Sequence, residues 1–285
     1  MGECWHLWTP EDFGIIFPDA NAFKLGMNIF GVCAALFPDV TVITFELMTN
    51  HLHITAAGQE SRIRALFNMI KASLSKVLHL DLSGWDCRLR RVVDLGDARN
   101  VVSYTNRNGF LADREESPFS YPWGANRFYF NREAKSRFQE TGKSFSFNER
   151  RAAICSHKAD GVTWLKTTDG YVSPMSFCAI VQGEALFRNA SHYFYEISRN
   201  IESQRKLAAE IGERIFYTDN ELFSIVVRMC KESYGETKPS LISAEAKVEL
   251  AKKLHYDYNA GNKQIQRMLK MDIRNVDALF PVLVK

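Results

Sequence analysis

The sequence lacks paired cysteines. Its six cysteines lie singly along 285 residues, and no Cys-x-x-Cys pair occurs. Scattered cysteines are typical of buried free thiols in a reducing compartment, and they argue against a disulfide framework or a zinc ribbon. We therefore expect a cytoplasmic protein whose fold does not depend on disulfide bonds or on structural zinc.

Targeting and membrane-spanning patterns are also missing. Residues 1–5 hold no basic start followed by an apolar core, so we expect no signal peptide. The longest apolar run, residues 25–37, is too short to cross a bilayer and is interrupted by Asn28. Hydrophobic content of 46% and charged content of 24% are those of a globular protein with one large or two ordinary domains.

Two histidines follow a strongly strand-like stretch. The apolar, β-branched residues 40–45 and the residues after Asn50 predict two strands joined by a tight turn. Side chains alternate along a strand, so His51 and His53 share one face and could converge on one divalent cation. By itself the His-x-His pattern is weak evidence, because such short motifs recur by chance.

A tyrosine and an asparagine share the face of a predicted helix further on. Residues 97–109 predict a short helix capped by Asp97 and ended by Gly109. Tyr104 and Asn108 are four residues apart, which places them one turn from each other on one face. Beside two imidazoles they would supply a nucleophile and a third metal ligand. Taken alone, Tyr104 is better explained as a packing residue and Asn108 as a helix-end residue.

Together the two stretches resemble the HUH-type single-tyrosine transposases, especially the REP-associated ones. In that family a strand carries a Met-Pro-Asn-His-x-His-like motif, which stands here as Met48-Thr49-Asn50-His51-Leu52-His53. A later helix carries a tyrosine followed four residues on by the asparagine of an Asn-Pro pair, here Tyr104 and Asn108. Tyr121-Pro122-Trp123 is similar to the Trp-Pro-Trp-Ser-like sequence that usually follows.

The resemblance covers residues 4–130, under half of the chain, and its order and spacing are more specific than either motif alone. Thr49 and Gly109 depart from it, since the family has prolines there. The resemblance implies an α+β fold of the HUH or ferredoxin-like sandwich type, an antiparallel sheet with flanking helices. The tyrosine helix would pack beside the histidine strand.

The resemblance also implies a metal-dependent single-strand DNA endonuclease and strand transferase. Tyr104 would attack the scissile phosphate and leave a 5′-phosphotyrosine and a free 3′-hydroxyl. His51, His53 and Asn108 would hold Mg²⁺ or Mn²⁺, because an oxygen ligand suits a harder cation than zinc. The partner would be single-stranded or hairpin DNA and not a membrane. Whether a homodimer supplies Tyr104 in trans stays open.

The distribution of charged residues along the chain leaves two alternative functions open. Residues 1–130 hold 12 Lys+Arg and 14 Asp+Glu, whereas residues 131–285 hold 24 and 19, so the basic excess lies outside the proposed catalytic part. Phosphate affinity comes from local basic patches. In the first part, Arg88 and Arg90 share one face of a strand predicted over residues 85–93, and we take both as DNA-binding candidates. The alternatives are a DNA-binding regulator with a catalytically inactive HUH domain, and a small-substrate metal phosphoesterase.

Residues 1–130 form the predicted catalytic domain. The pattern of the chain after residue 130 predicts mainly helices. Residues 131–239 form a connecting module, with short strands predicted over 144–147 and 162–166. Residues 240–285 resemble a helix-turn-helix segment, and the same apolar pattern would serve a plain three-helix packing unit. DNA-backbone contacts are predicted there for four basic residues: Lys263, Arg267, Lys270 and Arg274.

Three further elements are predicted near the site. Residues 4–8 indicate a buried strand, in which His6 is assigned a structural role and left out of the site. Residues 21–37 predict a helix. Residues 60–79 give the clearest amphipathic helix, with a buried stripe of Ile63, Leu66, Phe67, Ile70, Leu74 and Leu78.

Overall fold

The computed structural model describes residues 3–112, 121–141, 146, 148, 170–199, 217, 219–236 and 238–281. The chain divides into two units, Met1–Ile197 and Ser198–Lys285, where the sequence predicts boundaries near residues 130 and 239. The strand predicted over 162–166 lies outside the described residues, as does all of 144–147 except Ser146. Within the described ranges, no helix is long and apolar enough to cross a membrane.

A four-stranded antiparallel sheet organises the first unit. The strands are β1 (Cys4–Trp8), β2 (Thr41–Leu47), β3 (Leu52–Ala57) and β4 (Arg88–Val92), and they lie in the order β2-β3-β1-β4. The predicted α+β class and the predicted hairpin are confirmed. His51 lies just before the first residue of β3, at the end of the connection from β2.

The two faces of this sheet differ in chemistry because side chains alternate along each strand. One face is apolar. Its residues Leu7, Phe45 and Ile54 join helices α1 (Ala20–Ala35) and α2 (Glu60–Leu78) in one hydrophobic core. The rings of Phe30 and Phe45 stack there with their centroids 4.3 Å apart. The opposite face carries polar residues and packs against helix α3 (Leu95–Ala112).

The amphipathic pattern predicts α2 well. The helix runs from Glu60 to Leu78, and all but one residue of the predicted stripe is buried, Leu78 being half-buried. Three of its basic side chains are engaged in ion pairs, Arg62 with Asp39, Arg64 with Glu60 and Lys71 with Asp86.

Helix α3 is longer than predicted at both ends. The carboxylate of Asp94, not that of Asp97, accepts the backbone N–H of Asp97 at 2.8 Å and caps the first turn. Gly109 does not end the helix, which continues to Ala112. A glycine inside a helix costs only about 1 kcal/mol relative to alanine. Burial of Val101 and Val102 against the rest of the unit offsets that cost.

The segment after α3 covers the outer edge of β2. The backbone N–H of Leu47 donates to the carbonyl oxygen of Trp123 at 2.9 Å, and Gly124 forms an antiparallel bridge with Glu46. Tyr121 donates its hydroxyl to the carbonyl oxygen of Leu47 at 2.6 Å. The predicted counterpart of the family's aromatic motif therefore binds directly to the strand that leads into the histidines.

Substituting Gly124 is expected to destabilise this edge. A Cβ at Gly124 would lie 2.6 Å from Cγ of Glu46 and 2.9 Å from the carbonyl oxygen of Phe45. We expect Gly124→Ala to lower the free energy of unfolding by about 1–3 kcal/mol, measured by urea denaturation. Gly14→Ala is the matched control, since no atom would lie within 4 Å of its Cβ. Equal stability of the two variants would contradict this close approach.

Short helices follow in the described part of the first unit, the last of them ending two residues beyond its boundary. They are α4 (Arg132–Thr141), α5 (Ile180–Glu184) and α6 (Ala190–Arg199), with single 3-10 turns at Asn126–Phe128 and Pro174–Ser176. The second unit is helical where it is described. Its helices are α7 (Asp219–Tyr234), α8 (Ala244–Tyr258), α9 (Asn262–Leu269) and α10 (Ile273–Leu279). Residues 244–280 therefore hold three helices, as both the helix-turn-helix and the three-helix interpretations of this segment require.

Apolar residues of the C-terminal helices and of the turn between them are largely buried. Ile265, Leu269 and Val276 are fully buried. Met271 and Leu279 are half-buried. The turn between α9 and α10 places Lys270 in the left-handed region at φ 52°, the conformation that glycine or asparagine adopts most readily.

Candidate active site

The polar face of the sheet is buried beneath α3. His6, Thr44, Glu46, His53 and Thr55 all have no exposed surface. The strand register sets His6 opposite Thr55, and sets His53 between Trp8 on one side and Glu46 on the other. Burying so many polar groups costs free energy unless they are hydrogen-bonded. Their concentration on one face therefore marks the place where this unit can do chemistry.

His53 is held at both ring nitrogens. Its Nδ1 lies 3.2 Å from Nε2 of His6, and its Nε2 lies 3.1 Å from Nδ2 of Asn108. His51 is oriented by its neighbour, since its Nδ1 lies 2.8 Å from Oδ1 of Asn50. The rings of His51 and His53 are 5.2 Å apart between centroids. The structure thus brings His51, His53 and Asn108 together.

Tyr104 lies against the same histidines. Its ring centroid is 5.7 Å from that of His53 and 6.3 Å from that of His6, edge-on in both cases. The side chain is only 1% exposed.

The three imidazoles are neutral at physiological pH. Burial, with Arg90 nearby, lowers the pKa of His6 to about 3. Burial lowers the pKa of His51 to about 4. Burial first, and then the neighbouring His51 and His6, hold the pKa of His53 well below its ordinary value. A neutral imidazole keeps one lone pair, which is the form that binds metal ions.

These pKa values predict a loss of stability in mild acid. His51 has an ordinary pKa of 6.5 and a folded pKa of about 4, so the unfolded chain binds the extra proton between these values. Stability is therefore fully present above about pH 6.5 and falls as the pH drops towards 4, by about 1.4 kcal/mol per pH unit for each such histidine. We expect urea denaturation between pH 7 and 4.5 to show that the free energy of unfolding of His51→Asn falls less steeply with decreasing pH than that of wild type, by about 1.4 kcal/mol per pH unit. An unchanged slope would contradict the buried, neutral state of His51.

The donor set fits a hard divalent cation. Neighbouring ligands of a six-coordinate ion at about 2.1 Å from the metal stand about 3 Å apart. In this structure Nδ2 of Asn108 faces His53 Nε2 at 3.1 Å, so a cation would be bound only after the amide turns to bring its oxygen to that position. Across the described ranges, no three His, Cys, Asp or Glu side chains are grouped to hold a metal ion. A cation here therefore depends on the amide of Asn108 beside the two imidazoles.

A buried network fixes α3 over the sheet. Thr44 donates its hydroxyl to Oδ1 of Asn106. Nδ2 of Asn106 donates to the hydroxyl of Tyr193 at 2.7 Å, and that hydroxyl donates to Oδ1 of Asn126 at 2.6 Å. Asn126 in turn donates to the carbonyl oxygen of Asn106 at 2.8 Å. Asn106 lies between Tyr104 and Asn108 on α3. This network therefore fixes how far α3 lies from the sheet and which way Tyr104 and Asn108 point.

The basic residues predicted to bind DNA have different environments. Arg88 is exposed in the same cross-strand row as His53 and Trp8. The guanidinium of Arg90 is instead bound by both carboxylate oxygens of Asp97, at 3.1 and 2.9 Å, which ties β4 to α3.

The basic residues of the second unit are exposed, and one of them is ion-paired. The side chains of Lys263, Lys270 and Arg274 face solvent. Arg267 is also exposed, but its guanidinium is bound by both carboxylate oxygens of Asp219 on α7, at 2.8 and 3.0 Å.

The sequence prediction missed His6 as part of this group. His6 is 47 residues from His53, and only the pairing of β1 with β3 brings the two rings together. Strand alternation places His6 and Trp8 on one face, but it does not tell which strand lies beside them. The available signal was therefore a buried polar residue in an otherwise apolar strand.

Comparisons with known proteins give one distant similarity. No protein-family model and no curated protein sequence matches the chain. Among solved structures, the chain is similar to a REP-associated tyrosine transposase that was determined bound to a REP hairpin. The match has 11% sequence identity and a TM-score of 0.39, and it covers 46% of this chain and 81% of the other.

Proposed function

We propose that the protein is a metal-dependent single-strand DNA endonuclease and strand transferase that acts through a covalent tyrosyl-DNA intermediate. The observation that carries this proposal is the packing of Tyr104 and Asn108, on one helix, directly against His53. The helix residues lie about 50 positions from His53 in the sequence, yet the three are in contact, with Tyr104 and His53 buried and Asn108 half-buried. A phenol beside two neutral imidazoles and an amide supplies a nucleophile and a set of ligands for Mg²⁺ or Mn²⁺.

Each residue has a defined role in the reaction. The phenol oxygen of Tyr104 attacks the scissile phosphorus in line and forms a 5′-phosphotyrosine. The bond from phosphorus to the 3′ oxygen breaks, and that oxygen takes up a proton to become a free hydroxyl, while the phenol loses its own. A cation bound by His51, His53 and Asn108 would polarise the phosphate and neutralise the charge that develops on it. The phosphotyrosine keeps the bond energy that rejoining requires.

Entry of DNA requires the site to open. Tyr104 is 1% exposed and His53 is fully buried in this structure, so a phosphate reaches them only after a local rearrangement. Arg88 is the exposed guanidinium in the row that contains His53, and we assign it the first contact with the DNA backbone. In the second unit, Lys263, Lys270 and Arg274 are the exposed cations for a helix-turn-helix-like contact.

The deciding experiment is adduct formation by the full-length protein. Labelled single-stranded and hairpin oligonucleotides are incubated with protein and Mn²⁺, and the mixture is run on a denaturing gel. A labelled band that survives denaturation at the protein's mass supports the proposal. DNA binding with no adduct under any condition would instead indicate a DNA-binding regulator. Metal-dependent hydrolysis of a small phosphodiester with no DNA binding would indicate a phosphoesterase.

A further inference from the structure

We propose that His6 is a positioning residue that fixes the ring proton of His53 on Nδ1, so that Nε2 presents its lone pair to the metal position. This inference rests on the proposed function, because the lone pair of His53 Nε2 matters most if that nitrogen is a metal ligand. The contact between His6 and His53 is present in the protein without any metal ion. Nε2 of His6 lies 3.2 Å from Nδ1 of His53, and both side chains are fully buried.

The contacts of His53 select one arrangement of protons. Nδ2 of Asn108 is a donor only, so at 3.1 Å from it His53 Nε2 acts as the acceptor. A neutral imidazole has a single N–H, which must then lie on Nδ1 of His53 and donate to Nε2 of His6. The proton of His6 is left on its own Nδ1. The hydrogen bonds from Asn108 to His53 and from His53 to His6 are consistent with each other. Nε2 of His6 is the acceptor that holds the proton on Nδ1 of His53.

A purely structural role does not explain a histidine at this position. Nδ1 of His6 is buried and finds no hydrogen-bond partner in the part of the chain that the structure describes. An unpaired buried N–H costs free energy that an apolar side chain of similar size would avoid. His6 also stacks on Trp8, with ring centroids 5.2 Å apart, and a phenylalanine would keep that contact. What a phenylalanine cannot supply is the acceptor for His53.

The arrangement resembles a general feature of metal sites. A histidine ligand commonly donates its second ring N–H to an acceptor, which fixes its tautomer and orientation, and loss of that acceptor weakens metal binding by roughly 10–100-fold. The usual acceptor is a carboxylate, a backbone carbonyl or water, whereas a second neutral imidazole performs that role here.

The first arm of the test reads the tautomer directly in metal-free protein. Long-range ¹H–¹⁵N spectra of histidine-labelled protein distinguish a ring proton on Nδ1 from one on Nε2. We expect wild-type His53 to carry it on Nδ1, His6→Gln to retain that state through its side-chain oxygen, and His6→Phe to lose it. A wild-type His53 protonated on Nε2, or one whose tautomer is unchanged in folded His6→Phe, would overturn the proposal. The wild-type spectrum decides even if His6→Phe fails to fold.

The second arm measures binding of Mn²⁺ alone, by electron paramagnetic resonance, with no DNA present. We expect His6→Phe to bind roughly 10-fold or more weakly than wild type, and His6→Gln to bind within about threefold of wild type. Ser173→Ala is the control, because Ser173 is equally buried and its hydroxyl only accepts the backbone N–H of Met175 in the short turn at Pro174–Ser176. It should bind Mn²⁺ as wild type does. Equal binding by all variants would overturn the role of His6 in the metal site.

The two proposals fail in different ways. If wild type binds Mn²⁺ and shows the expected tautomer but forms no DNA adduct, the proposed function fails and the role of His6 stands. If the adduct forms and the tautomer is the reverse, the role of His6 fails and the proposed function stands.

Discussion

Tyr104→Phe is expected to bind single-stranded DNA as wild type does and to form no covalent adduct. The substitution removes one oxygen and keeps the ring that packs edge-on against His6 and His53. Without the phenol oxygen the proposed nucleophile is lost, and adduct formation should fall by a factor of about 10³ or more. The measurement pairs a denaturing gel for the adduct with a binding titration on the same oligonucleotide.

Tyr129→Phe is the matched control for this experiment. Tyr129 is equally buried, and its hydroxyl donates to the carbonyl oxygen of Ile43 at 2.8 Å. Its loss should cost about 1 kcal/mol of stability and leave the adduct at the wild-type level. An undiminished adduct in Tyr104→Phe would place the nucleophile elsewhere, and Tyr121 and Tyr129 would be the next tyrosines to test.

Local sequence patterns predict the parts of this site that lie close together along the chain. The β-branched run before the turn predicts the hairpin, and alternation predicts that His51 and His53 lie on one side of it, where their ring centroids are 5.2 Å apart. Helical spacing predicts that Tyr104 and Asn108 share a face. These inferences succeed because each depends on backbone geometry over a few residues.

Tertiary pairing supplies the parts that the sequence does not predict. The partner of Asn106 is Tyr193, 87 residues away, and no local pattern connects them. Arg90 fits a phosphate-binding strand by alternation alone, yet its guanidinium is bound by Asp97. Asp97 was expected to cap α3, but that role falls to Asp94 because the carboxylate of Asp97 faces Arg90 and the backbone N–H of Val93. Capping rules allow either aspartate, and the ion pair with β4 decides between them.

Substitutions of the proposed metal ligands give the second large expected effect. We expect His53→Ala to lose DNA cleavage by a factor of about 10³ or more, because it removes the proposed central ligand and leaves Nε2 of His6 facing a cavity. Chelator should abolish cleavage by the wild-type protein. The assay is the same labelled oligonucleotide, scored for cleaved product across a titration of Mg²⁺ and of Mn²⁺.

Asn108→Ala should impair cleavage more in Mg²⁺ than in Mn²⁺. The substitution removes the amide oxygen and leaves two imidazoles, and Mn²⁺ accepts nitrogen ligands more readily than Mg²⁺ does. Cleavage should therefore fall strongly in Mg²⁺ and recover in part in Mn²⁺. Asn100→Ala removes the same amide two turns earlier on α3, where Asn100 is half-buried, and should cleave normally with either metal. Full cleavage by wild type in excess chelator would remove the cation from the mechanism. The neutral imidazoles would then have to act on the phosphate and on Tyr104 by hydrogen bonding alone.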